Sequence, residues 1–65
     1  MRVLINGEQR DCRSSTLADL LHELEYEGEW LATAVNGDLV HREDRSRHIL
    51  GAGDRVEILS PMQGG

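Results

Sequence analysis

The stretch Met62-Gln63-Gly64-Gly65 is where residue type first suggests chemistry. Glycine loses more freedom on ordering than any other residue, so two of them behind a strand-like segment add nothing to a fold. With glycine usage averaging about 7%, a pair at any one site arises by chance in roughly 0.5% of sequences. What such an end offers is an unhindered carboxylate. Gly65 would carry it, and neither Gly64 nor Gly65 has a Cβ to keep the backbone out of a narrow channel. Extended, the segment from Ser60 to Gly65 reaches about 20 Å. Met62 and Gln63 stand where they would line the way in, methionine being suited to an adaptable apolar groove. A frayed terminus is the plain alternative.

The other candidates carry less. Cys12 is the sole cysteine and has no internal disulfide partner. It reads as part of a strand with no cationic help in sequence beyond Arg10 and Arg13, so a structural thiol is favoured over a reactive one. His22, His41 and His48 lack the paired spacing of a zinc site. Glu23, Glu25, Glu27 and Glu29 read as a solvated face that would also suit a basic partner. No nucleophile–base pair stands out, so no catalytic residue is assigned and the chain is not expected to be an enzyme by itself.

Composition narrows the class further. The 65 residues include 12 acidic and 7 basic ones, for a net charge of −5. That sign opposes nucleic acid, whose phosphates need Lys and Arg, and anionic membrane surfaces. Phenylalanine is absent, and Tyr26 and Trp30 are the only aromatics. A core of Leu, Ile and Val follows, too small to enclose a cofactor, since a chain this short buries only about 60% of its unfolded surface. No run approaches the ~20 apolar residues of a membrane span. "MRVLING" turns polar too early for a signal peptide, so a cytoplasmic protein is expected.

The elements that must carry the tail can be read in order. "MRVLI" is a strand, and Asn6-Gly7 closes a hairpin because a type I′ turn needs positive φ at both central residues. "EQRDCR" returns as a polar strand with a face or edge in water. In "SSTLADLLHEL", Thr16 and Asp19 form a capping-box pattern. Leu17, Leu20, Leu21 and Leu24 then make one helical stripe, with Gly28 as the stop. "WLATAV" is a strand turned at Asn36-Gly37 into Leu39 and Val40. "HREDRSRH" reads as a charged loop or a single helical turn, pinned to the core by Ile49 and Leu50. "RVEILS" alternates, Val56 and Ile58 on one face against Arg55 and Glu57 on the other. Strands around one crossing helix imply an α+β layer. With the last strand central beside the first, this is a ubiquitin-like β-grasp domain over residues 1–59, followed by a flexible tail over 60–65.

With the opening strand closed by "NG", "TLADLLHEL", "VNGDLVHRED", "GAGDRVEIL" and the final "GG", the whole chain resembles the ThiS/MoaD family of bacterial sulfur carriers. The family often carries proline where His41 precedes Arg42, and an ordinary strand residue where Pro61 stands. The resemblance implies a protein co-substrate. Its partners would be an E1-like adenylyltransferase (ThiF-like) using ATP and magnesium, a cysteine desulfurase or other persulfide donor, and a thiazole synthase (ThiG-like). The Gly65 carboxylate would be adenylated, converted to a thiocarboxylate and relieved of its sulfur in making the thiazole of thiamine. No cofactor would be bound by this chain. A carrier serving molybdopterin synthase, cysteine or a natural product, and a ubiquitin-like modifier, are the alternatives the same resemblance leaves open.

Overall fold

The computed structural model describes residues 1–26 and 30–60. The chain forms β1 (Arg2–Ile5), β2 (Glu8–Asp11), α1 (Leu17–Glu23), β3 (Ala32–Val35), β4 (Asp38–Val40), a 3-10 helix (Arg42–Arg47) and β5 (Arg55–Leu59). The five strands make one sheet in the order β2-β1-β5-β3-β4. β5 runs parallel to β1 and antiparallel to β3. Each outer strand is hairpinned to its neighbour. The last strand is therefore the central one, as the sequence implies, and β2 is an edge whose four residues are all exposed.

Period-2 alternation sorts the sheet into two faces. Val3 and Ile5, Thr33 and Val35, Val40, and Val56 and Ile58 are buried together with Leu17, Leu20 and Leu21 of α1 and Leu50. The helix covers this face with its leucine stripe. Thr16 caps it, its hydroxyl accepting the Asp19 N–H at 3.2 Å, a bond whose loss typically costs about 1 kcal/mol. At the other end Leu24 closes the helix. Tyr26 N–H donates to the Leu21 carbonyl and Glu25 N–H to that of His22, the pattern of a Schellman cap. That cap forces Glu25 to φ 62°, so the stop comes before Gly28, which lies outside the described residues.

Two expectations need correcting. Ile49 does not pin the charged segment to the core: it is 70% exposed, and Leu50 alone is buried. The chain there is extended, with an antiparallel bridge between Thr16 and Ile49, so successive side chains point to opposite sides and only one of the pair can face inward. The "HREDRSRH" stretch holds a six-residue 3-10 helix where a loop or a single helical turn is expected. Arg45 is buried, its Nε donating to Thr33 Oγ1 at 3.0 Å and an Nη to the Leu31 carbonyl at 2.6 Å. The Thr33 hydroxyl in turn donates to the Val40 carbonyl at 2.8 Å. Burial, then the nearby Arg42 charge, push the Arg45 guanidinium below its ordinary value, though a group that basic stays protonated. The 3-10 helix is thus tied to β3 by a charged side chain, whose hydrophobicity gave no hint of burial.

Candidate functional site

Gly65, Gly64, Gln63 and Met62 lie outside the described residues, so the site is built from the strand that leads to them. β5 is held by both flanking turns. Asn6 N–H donates to the Val56 carbonyl at 2.9 Å. Beyond it the Asn6 side chain acts as a further strand neighbour, accepting the Ile58 N–H at 2.8 Å and donating to the Ile58 carbonyl at 3.0 Å. Across the strand, Asn36 Oδ1 accepts the Arg55 N–H at 3.0 Å and its amide donates to Asp54 Oδ1, also at 3.0 Å. Asp54 accepts the Gly51 N–H at 2.7 Å as well. That backbone bond first, and the Asn36 amide second, hold the Asp54 carboxyl below its ordinary value. Reading Asn-Gly only as a turn missed these clamps. The signal that could have found them is position, because a turn beside a central strand leaves its asparagine facing that strand's backbone.

The face of the sheet turned away from α1 is open. Arg55, Glu57 and Leu59 point out from β5, and Ala32 and Ala34 from β3. Leu59 and Leu39 are 69% and 64% exposed. An open groove of about 590 Å³ runs along β5, lined by Leu4, Asn6, Gly7, Gly37, Arg55, Glu57 and Leu59. A shallower depression of about 100 Å³ adjoins it between Ala32, Ala34, Leu39, Glu57 and Leu59. Exposed apolar side chains gathered on one face, rimmed by charge, suit contact with another protein. This face adjoins Ser60, the last described residue, which Leu59 immediately precedes.

The family model described as the ThiS family matches residues 3–65. The chain belongs to the ThiS family. It is 30% identical over 66 residues to the sulfur carrier protein ThiS of Escherichia coli (strain K12), with all of both chains covered. The crystal structure of the thiamine biosynthesis protein (ThiS) from Geobacter metallireducens superposes with a TM-score of 0.84 at 28% identity over the full length of both chains. The solution structure of a thiamine biosynthesis protein from the same organism gives 0.81 at 28% identity, covering all of this chain and 88% of the other. The β-grasp architecture read from the sequence is that of these ThiS structures.

On this ThiS frame the remaining candidates take different positions. Cys12 is buried just after β2 instead of within it. Its N–H donates to the Met1 carbonyl at 2.8 Å, and its carbonyl accepts from the Met1 amine at 2.9 Å. His22 and His41 are exposed and His48 half-buried, and among the described residues no three potential ligands gather for a metal ion. The acidic run is not one uniform face. Glu23 turns back to accept the N–H groups of Arg13 and Ser14 at 3.1 Å each, together with the Ser14 hydroxyl. The hydroxyl bond chiefly, with the two backbone bonds, draws the Glu23 carboxyl below its ordinary value. Glu25 occupies the helix cap, and Glu27 and Glu29 lie outside the described residues. No helix among the described residues is long and apolar enough to cross a membrane.

Proposed function

We propose that this ThiS-family chain is a cytoplasmic sulfur carrier for thiamine biosynthesis, a co-substrate that other enzymes charge and unload. The observation that carries the reading is that the family match runs through Gly64 and Gly65, a few residues beyond a firmly held strand and an open apolar face. A carboxylate is a poor electrophile because its leaving group would be oxide, and joining it to AMP supplies a good one. In this reading an adenylating partner uses ATP and magnesium to activate Gly65. The terminal sulfur of a persulfide attacks the acyl carbon and displaces AMP, and a partner's thiol then cleaves the resulting acyl disulfide, ending as a disulfide itself and leaving a terminal thiocarboxylate. A thiazole synthase takes that sulfur. Catalysis belongs to the partners, which must hold the reacting carbon in attack geometry. This chain contributes the docking face, the reach of about 20 Å from Ser60 to Gly65, and two glycines slim enough for a channel, with Met62 and Gln63 along its wall.

The test is mass spectrometry after incubation with the adenylating partner, ATP and a sulfur source. The carrier gains the mass of one oxygen replaced by sulfur, and deletion of Gly65 abolishes the product while leaving thermal unfolding unchanged. An unaltered mass in an assay that charges a known carrier overturns the reading. Rescue of a thiazole auxotroph, set against a molybdopterin-deficient strain, identifies the acceptor.

A further inference from the structure

We propose that Glu57 selects the adenylating enzyme by pairing with one of its basic side chains beside the apolar residues of the open face; the inference rests on the carrier reading above. Glu57 sits mid-way along β5, in register with Ala34, and its side chain is on the open face. It borders both depressions of that face. In the smaller one it is the sole charged residue, set among Ala32, Ala34, Leu39 and Leu59. Among the described residues its carboxylate takes part in neither of the ion pairs, which join Met1 to Asp11 and Arg47 to Asp44.

The consequence is one of desolvation. A partner that closes over Leu39 and Leu59 strips water from Glu57, and a carboxylate dried without a counter-charge is costly. A surface bearing Arg or Lys at that point is accepted, and an apolar or acidic one is rejected, so the repulsive element does the discriminating. The occupant is the adenylating enzyme because the face is continuous with the tail. A body seated on Leu59 leaves six residues, about 20 Å of extended chain, to deliver Gly65 to an active site. A contact of about 800 Å² per partner is standard, close to a sixth of the 4663 Å² surface. A second copy of this chain is the poorer occupant, since each brings a net charge of −5.

The experiment is steady-state pyrophosphate release by the adenylating enzyme of the same genome, with the full-length carrier as wild type, Glu57→Gln, Glu57→Leu and Glu57→Lys. Unchanged thermal unfolding establishes that each variant is folded. KM for the carrier is expected to rise several-fold for Glu57→Gln and Glu57→Leu and more than about tenfold for Glu57→Lys, with kcat nearly constant. Added salt should raise the wild-type KM more than that of Glu57→Leu. A Glu57→Leu carrier that docks as well as or better than wild type overturns the proposal, as does a Glu57→Lys KM within twofold of wild type. Self-association of the carrier that Glu57→Lys abolishes assigns the face to a second copy and overturns it too. If the wild type supports no pyrophosphate release, the carrier reading itself fails, a pattern distinct from equal KM values across the series.

Discussion

The turns Asn6-Gly7 and Asn36-Gly37 share nearly one backbone, with φ of 51° and 83° in the first and 52° and 86° in the second, yet their side chains hold opposite ends of the same strand. The difference comes from direction. β1 runs parallel to β5, so its turn arrives beside the far end, where Asn6 takes both backbone groups of Ile58. β3 runs antiparallel, so its turn arrives beside the near end, where Asn36 takes the Arg55 N–H and the Asp54 carboxylate. One dipeptide thus serves as anchor for the root of the tail and as anchor for the strand's entry. A local signal tells where the chain reverses, and only topology tells what the reversing residue will grip.

The comparison breaks most readily at Asn6. Glycine there keeps the left-handed turn but removes the amide, leaving the part-buried N–H and carbonyl of Ile58 without that partner. Asn6→Gly should cost about 2 kcal/mol, for two bonds at about 1 kcal/mol each, read by urea unfolding. Hydrogen exchange at Ile58 should quicken more than at Val56. Asn36→Gly should cost less, about 1 kcal/mol or below, because its bonds are exposed to water that can replace them. Equal losses in the two variants would show that the ends of β5 are held alike and that the asymmetry has no energetic content.

A third left-handed residue sharpens the contrast by reversing the sign. Glu25 has φ 62° at the helix cap, and no side-chain hydrogen bond from it occurs among the described residues. Glu25→Gly should therefore stabilise the fold by up to about 1 kcal/mol, the strain of an L-residue in that region. A loss measured in the same urea titration would mean that this side chain also grips something.

The smallest effect is on acid stability. Asp54 and Glu23 titrate below their ordinary values of 3.8 and 4.5. A carboxyl with a depressed folded-state value stabilises the fold above its ordinary value and loses that contribution as pH falls through the folded one. Melting temperature should thus hold steady down to about pH 5 and decline below that. Asn36→Gly or Asp54→Asn should shrink the decline, whereas Asn6→Gly should leave it alone. Glu23 is exposed and Asp54 only half-buried, so the change is modest. An identical acid profile in all three variants would detach Asn36 from the titration of Asp54.

Much of the scaffold was legible because its signals are local. Asn-Gly needs positive φ, Thr16 caps through its neighbour three residues on, and the leucine stripe and the alternation of Val56 and Ile58 name their own faces. The central place of β5 followed from element order. What stayed hidden depends on who stands across the fold. Ile49 and Leu50 are equally apolar, and only the bridge to Thr16 decides which turns inward. Arg45 is buried because Thr33 and the Leu31 carbonyl offer acceptors from β3, a distance in sequence no periodicity spans. Glu23 looked like solvated charge and instead caps the backbone at Arg13 and Ser14. For the site, alternation set Arg55 and Glu57 opposite the core, whereas the apolar groove beside them and the clamps were not read. The tail residues from Met62 to Gly65 rest on sequence and family.

The central position of the last strand has a mechanical consequence. A partner that draws on the chain beyond Ser60 pulls β5 along its own length, with a neighbour bonded to it on each side. Those bonds lie across the direction of tugging, so they must give way together instead of peeling off in turn. The tail can be hauled into a tight passage while the body behind it keeps its shape.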